Sequence, residues 1–257
     1  MNRYWFIFCD DKLLLHKDGN SHNVPLSVEP PCGLTAKSGY HNITPLNDIE
    51  VKTFTVSCNV SLPPNYFFVP LRQSYSLINR ELYLKAGKCR EILYWDVNTQ
   101  YCGICGCKNE MATDISKRCT GCGNEIWPQL STAIICLISK GDELLLVRAN
   151  NFKHNFYGLV AGFVETGENL EDAVVREVEE ETGLKIANIR YFGSQAWPYP
   201  CGLMVGFNAD YVSGEIHLQE SELKTGGWFN YKELPPIPEK LSIARQLIDN
   251  FIESRQH

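Results

Sequence analysis

The pattern of apolar and polar positions changes about half-way along the chain, and the second half is the easier to read. Residues 132–139 form a continuous apolar run of strand length, Gly141-Asp142 supplies a turn, and 143–148 reads as the hairpin partner. Another apolar segment covers 158–164. Residues 169–182 have helical texture and stop at Gly183, which can adopt the left-handed conformation that closes a helix. Strands are predicted at 189–193, 203–212 and 227–229. After Pro238, the positions Ala244, Leu247, Ile248, Phe251 and Ile252 recur at helical spacing and predict an amphipathic terminal helix. Strands flanking a helix, then more strands and a second helix, imply layered packing of the α/β/α or α+β kind.

The first half is less regular. Residues 1–97 predict a small β-rich N-terminal domain, with turn clusters at Glu29-Pro30-Pro31-Cys32-Gly33 and Leu62-Pro63-Pro64-Asn65 and no readable chemistry. Residues 98–128 separate it from the predicted second domain, 129–257. No internal repeat or low-complexity tract is evident in the sequence.

Composition narrows the class. With 44% apolar and 21% charged residues, the chain is an ordinary globular protein rather than a disordered one. No apolar run approaches the roughly 18 residues of a membrane helix. The start, Trp5-Phe6-Ile7-Phe8-Cys9, runs straight into Asp10-Asp11 and is too short for a signal peptide, so the cytoplasm is the expected location. A net charge of −6 argues against strong nonspecific binding of nucleic acid or anionic lipid. It leaves room for a phosphate substrate, because a bound divalent cation reverses the local sign.

Eleven cysteines, an odd number, point to a reducing compartment. Four are patterned: Cys102-x2-Cys105 and, after thirteen intervening residues, Cys119-x2-Cys122, each pair in a glycine-containing knuckle. Such a set supplies four thiolates for a closed tetrahedral Zn2+ site; a ribbon that has lost its metal, disulfides and another metal are the alternatives. Cys107 lies two residues past the first pair and complicates the assignment. The scattered cysteines, Cys9, Cys32, Cys58, Cys89 and Cys136, read as small buried apolar side chains, with Cys201 less clearly so.

The segment from Gly162 to Leu184 is the most informative. At about 100° per residue, Glu177, Glu180 and Glu181 share one arc of a helix, with Glu179 roughly opposite. Carboxylates one turn apart repel, and the C-terminal end of the helix dipole disfavours them further. A hard divalent cation such as Mg2+ resolves the conflict, since it takes oxygen ligands and shares them with substrate phosphates; a solvated acidic face is the alternative. Arg176 stands four residues before Glu180 and can pair with it, and Glu168 can fold back toward Arg176 or the metal.

Gly162, Glu168, Arg176-Glu177-Val178-x-Glu180-Glu181-x-Gly183-Leu184 resembles the Nudix box at every defined position. The resemblance implies the Nudix fold, a mixed sheet between helices. It also implies Mg2+- or Mn2+-dependent cleavage of a nucleoside diphosphate linked to another group, with Glu177, Glu180 and Glu181 as metal ligands. Downstream, Ser194-Gln195-Ala196-Trp197-Pro198-Tyr199-Pro200-Cys201-Gly202 is similar to the signature loop of the NADH pyrophosphatase subfamily. It departs from the pattern at Ala196 (usually Pro), Tyr199 (usually Phe) and Gly202 (usually Ser). Prolines that stiffen the loop hold Trp197 and Tyr199 as flat platforms, suited to a base or nicotinamide, or to core packing.

The four-cysteine ribbon and Trp127-Pro128-Gln129 after it agree with that subfamily. The resemblance further implies that Glu222 is an additional metal ligand and that Asp114 and Trp127, together with Ala161 and Ala244, lie at the substrate. It implies hydrolysis of NAD(H) to AMP and nicotinamide mononucleotide, removal of NAD caps from RNA, and a homodimer. Other dinucleoside or nucleotide-sugar substrates, or a silent RNA-binding module, are the competing readings.

Overall fold

The computed structural model describes residues 1–150 and 155–256. Two compact units form: Met1–Gln129 with Pro198–Cys201, and Leu130–Trp197 with Gly202–His257.

In the first unit, strands β1 (Arg3–Cys9), β2 (Lys12–Asp18), β3 (Ser21–Asn23), β4 (Leu26–Ser27), β5 (His41–Leu46), β6 (Ile49–Thr55) and β7 (Tyr66–Pro70) make one sheet. The short helix α1 (Leu71–Ser74) and the long helix α2 (Arg80–Asn98) follow it. The sheet runs β3-β2-β1-β6-β5, with β4 also on β1 and β7 on β2. The uninterrupted apolar run at residues 5–9 makes β1 the central strand, because only a strand covered on both faces buries such a run. Helix α2 is absent from the sequence-based reading of this region. Its start is fixed by Asn79, whose side chain accepts the Leu82 amide at 2.8 Å, and it buries Leu82, Tyr83, Ala86, Cys89 and Leu93 at helical spacing.

Two cysteine expectations are corrected here. Cys9 is buried as expected but is bonded to the exposed Cys58 in a disulfide, with 5.3 Å between their Cα atoms. Parallel pairing of β1 with β6 brings the two strand ends side by side, and Val56 N–H donates to Phe8 C=O just before Cys58. Cys32 is exposed rather than buried, whereas Cys89 and Cys136 are buried as expected.

The ribbon contributes β8 (Asn109–Thr113), β9 (Ser116–Cys119) and β10 (Glu125–Ile126) to a three-stranded sheet. Lys117 on β9 is buried, with Nζ 2.6 Å from Asp96 Oδ1 and 2.7 Å from the Asp96 carbonyl. The same ammonium lies 5.3 Å from the centre of the Trp95 ring. His41 Nε2 stands 3.2 Å from the other Asp96 oxygen. Burial acts to raise the Asp96 carboxyl, but His41 and Lys117 overcome it and hold the group at about 2. This buried ion cluster joins the ribbon to α2 and β5.

In the second unit, β11 (Ser131–Lys140), β12 (Glu143–Ala149), β13 (Val160–Phe163), β14 (Lys185–Trp197), β15 (Gly202–Ser213) and β16 (Leu223–Asn230) form a mixed sheet ordered β14-β15-β11-β12-β16, with β13 on β11. Among the described residues of this unit, only the β11–β15 pair is parallel. Helix α3 (Leu170–Thr182) covers one face and α4 (Ile243–Ser254) the other. Along β11 the side chains alternate: Ile134, Cys136 and Ile138 pack with Val174 and Val178 of α3, and Ile135 and Leu137 with Leu247 and Ile248 of α4. The layered α+β expectation holds.

The two units repeat one topology, although no internal repeat is evident in the sequence. In each, a central strand (β1, β11) has an antiparallel hairpin partner (β2, β12) and a short antiparallel neighbour (β4, β13). It also has a parallel neighbour (β6, β15), itself paired antiparallel with the preceding strand (β5, β14). A last strand (β7, β16) pairs with the hairpin partner, and a helix (α2, α4) follows. The first unit lacks one element, the counterpart of α3, between β4 and β5.

Candidate active site

The carboxylates of α3 are set by local sequence. Asn169 caps the helix by accepting the Asp172 amide at 2.8 Å, and Gly183 ends it at φ +71°. Ala173, Val174 and Val178 are buried against the sheet, which fixes the rotation of the helix. Glu177 and Glu181 are therefore carried into the protein, while Glu180 stays exposed. Glu179 is exposed too and pairs with Lys185.

Arg176 organises the cluster. It grips Glu168 through two hydrogen bonds, Nε to Oε2 at 3.0 Å and Nη2 to Oε1 at 2.6 Å. It also donates to Glu177 Oε1 at 2.9 Å, Glu180 Oε2 at 3.1 Å and the Phe163 carbonyl at 3.0 Å. The Arg176 contacts, with help from the Glu165 amide, hold the Glu168 carboxyl down at about 2.

Gly162 on β13 is the floor of the cluster. A Cβ added there would sit 1.9 Å from Glu177 Cδ and 2.0–2.2 Å from its two oxygens. The carboxylate thus occupies the volume that any other residue's side chain would fill.

Glu181 lacks compensation. Its Oε2 is buried and has no hydrogen-bond partner among the described residues. Burial, then the charges of Glu177 and Glu222, push its carboxyl up to about 8. Burial likewise raises Glu177, although Arg176 opposes the shift. Glu222 is exposed, on a loop tied to the end of α3 by Gln219 N–H to Glu181 C=O at 3.0 Å. Asn150 secures that loop, its amide donating to Glu222 C=O at 2.7 Å and its side chain to Glu220 C=O at 2.9 Å. The sequence reading missed Asn150 and Gln219, which no local spacing reveals.

The other predicted site residues are scattered between the units. Asp114 and Trp127 are exposed and belong to the first unit, as does Pro198–Cys201. Tyr199 is half-buried, its hydroxyl 2.6 Å from that of Tyr83; burial raises it, as does the bond with Tyr83. Pro198 packs against Gly87 of α2. In the second unit, Trp197 ends β14 and is half-buried. Gln195 spends its amide on the main chain, donating to Leu241 C=O at 2.8 Å and accepting from Ile243 N–H at 2.7 Å, so it fixes the start of α4. Ala196 is exposed. Gly202 pairs with Trp197 across the β14–β15 turn, and a Cβ there would lie 3.1 Å from the Trp197 carbonyl, which accounts for a residue without a side chain at that position. Ala161 and Ala244 meet in the apolar layer between the sheet and α4.

Cys102, Cys105, Cys119 and Cys122 converge, their sulfurs all within 4.8 Å of one another. The amides of Gly121 and Cys122 point at Cys119 Sγ from 3.4 and 3.5 Å and hold that thiol below its ordinary range. Four sulfurs so placed fit a tetrahedral ion with metal–sulfur bonds of about 2.3 Å.

Residues 127–251 match the family described as NUDIX domain, and residues 2–95 the one described as NADH pyrophosphatase-like rudimentary NUDIX domain. A NAD-capped RNA hydrolase NudC from Pseudomonas aeruginosa is 43% identical over 194 residues, covering 75% of this chain and 69% of that protein. The chain belongs to the Nudix hydrolase family. A second NAD-capped RNA hydrolase NudC, from Pseudomonas fluorescens, is 40% identical over 175 residues, 68% of this chain and 63% of that one. A crystal structure of a NUDIX hydrolase from Nitrosomonas europaea shares the fold, with a TM-score of 0.53 at 20% identity over 62% of this chain and 93% of its own.

In this Nudix hydrolase the rudimentary domain is the unit whose topology repeats without α3. The Nudix box supplies the acidic cluster. Nudix hydrolases need divalent cations, and a buried, mutually repelling carboxylate pair with an unpartnered oxygen is a donor set that fits one. Among the described residues, no helix is long and apolar enough to cross a membrane.

Proposed function

We propose that the protein hydrolyses the pyrophosphate bond of NAD(H), free or as the 5′ cap of RNA, giving AMP or AMP-ended RNA and nicotinamide mononucleotide. The observation that carries this reading is Glu181, buried without a partner beside Glu177 on the box helix of a chain whose relatives are named NAD-capped RNA hydrolases.

Glu177, Glu180, Glu181 and Glu222 would hold Mg2+ or Mn2+. When bound, the cation neutralises charge on the diphosphate and lowers the pKa of water. Glu180 or Glu181 orients the attacking water and accepts its proton at a carboxylate oxygen. Arg176 keeps Glu177 and Glu180 aligned and leaves Glu168 no freedom to compete for the ion. Trp197 and Tyr199 offer flat faces to a base or nicotinamide, in a loop completed by Gln195, Ala196, Pro198, Pro200, Cys201 and Gly202.

Functionally the chain divides into an N-terminal domain (1–97), a ribbon (98–128) that Zn2+ stabilises without touching the scissile bond, and the Nudix domain (129–257). The working form is a homodimer.

The test is product analysis after incubation with NADH, NAD+ and NAD-capped RNA in Mn2+. AMP and reduced nicotinamide mononucleotide from NADH, abolished in Glu181→Gln, are expected. No cleavage of any of the three substrates by the wild-type protein would overturn the proposal.

A further inference from the structure

A fifth thiol stands beside the four-cysteine site. Cys107 is exposed and is not one of the four clustered ligands. Its sulfur nevertheless turns toward them, because the second knuckle has Gly121 where a side chain would block it. A Cβ at Gly121 would lie 2.5 Å from Cys107 Sγ and 3.6 Å from Cys105 Sγ. Both sulfurs surround that one point and are therefore no more than about 6 Å apart.

The backbone holds them there. Gly106, at φ +75°, turns the chain between the two cysteines, Gly106 N–H donates to Cys102 C=O at 2.9 Å, and Cys102 N–H donates to Cys107 C=O at 2.8 Å. A Cys-Gly-Cys turn with one cysteine in the cluster and the other outside it and exposed sets a second thiol beside a ligand.

We propose that Cys107 is a peroxide-reactive trigger that takes Cys105 out of the metal site. In the first step the Cys107 thiolate attacks a peroxide oxygen. The O–O bond breaks, an S–O bond forms, and hydroxide leaves from hydrogen peroxide. In the second, the Cys105 thiolate attacks the Cys107 sulfur; the S–S bond forms, the S–O bond breaks, and a second hydroxide leaves. Two thiolates lose two electrons and one peroxide gains them. With only three sulfurs left, the site no longer closes around its ion, and Zn2+ is released. Cys107 is the natural first target because the residue is exposed and outside the cluster, whereas a ligand sulfur shares a lone pair with the ion and is less nucleophilic while bound.

The inference rests on the four cysteines holding zinc, and zinc content measured before treatment tests that premise separately. The full-length protein, as wild type, Cys107→Ser and Cys32→Ser, is treated with hydrogen peroxide while a chromogenic chelator reports free zinc. Peptide mass spectrometry then maps the disulfides. Cys107 is exposed and serine nearly isosteric, so that variant keeps its fold. Wild type and Cys32→Ser are expected to release zinc together with formation of a Cys105–Cys107 disulfide, and Cys107→Ser at least about tenfold more slowly without that bond. Equal release rates from wild type and Cys107→Ser, or a disulfide joining other ribbon cysteines, would overturn the inference. Absence of zinc from the untreated protein would overturn both it and the zinc reading beneath it.

Discussion

Gly162→Ala isolates the geometry of the acidic cluster from the stability of the fold. The new Cβ would stand 1.9 Å from Glu177 Cδ, against an ordinary carbon–carbon contact of about 3.5 Å. Roughly 1.5 Å of retreat is therefore required. Strand β13 is not the part that yields: it is hydrogen-bonded along β11, and Val164 N–H donates to Thr132 C=O beyond it. The carboxylate, at the end of a flexible side chain, moves instead. Gly162 is not in the left-handed region, so alanine itself adds no backbone strain. The melting temperature should stay within a few degrees of wild type.

Function should not survive so well. Misplacing a reacting or ligating group by about 1 Å costs on the order of 100-fold in rate, about 2.7 kcal/mol. Calorimetric titration with Mn2+ and NADH hydrolysis would read the loss. Adding Glu177→Asp shortens the side chain by one carbon–carbon bond, about 1.5 Å, and should recover roughly tenfold of it. A Gly162→Ala protein that binds Mn2+ and turns over within about threefold of wild type, or one that does not fold, would refute this reasoning.

Two further outcomes follow from buried charge. Lys117→Met strands the Asp96 carboxylate with His41 alone and should destabilise the protein by about 3–5 kcal/mol in urea unfolding, with Asp96→Asn in the same chain returning part of it; a loss below about 1 kcal/mol would contradict the account. Glu181 has a folded-state carboxyl raised to about 8, so its contribution to metal-free stability is fully present below the unfolded value and is lost as pH rises toward about 8. In chelator, wild type should lose melting temperature relative to Glu181→Gln between about pH 5 and about pH 8, and Mn2+ should restore more at the upper end; a flat difference would count against the assignment.

What could be read along the chain was what short spacings encode. The box glutamates, the Arg176–Glu180 pair, the Gly183 terminus and the two cysteine pairs all depend on residues a few positions apart, where helix and knuckle geometry are nearly fixed by the backbone. Helix α2 was legible by the same rule, through Asn79 and the spacing of Leu82, Ala86, Cys89 and Leu93, but mixed charges and Gly87 masked it.

Other features are invisible without strand pairing. The Cys9–Cys58 bond spans 49 residues and depends on parallel pairing of two strands. The repeated topology survives as register, not as matching residues. The burial of Lys117 depends on Asp96 and His41, which approach it from α2 and β5.

The acidic helix shows the division most clearly. Sequence alone determined that Glu177, Glu180 and Glu181 share an arc, because helical periodicity is a property of the local chain. Only tertiary structure decided that Glu177 rests in the space over Gly162, that Glu181 is buried without a partner, and that Glu180 remains in solvent. Burial and its electrostatic cost arise from which surfaces the sheet and its neighbours cover, and no spacing along one segment contains that information.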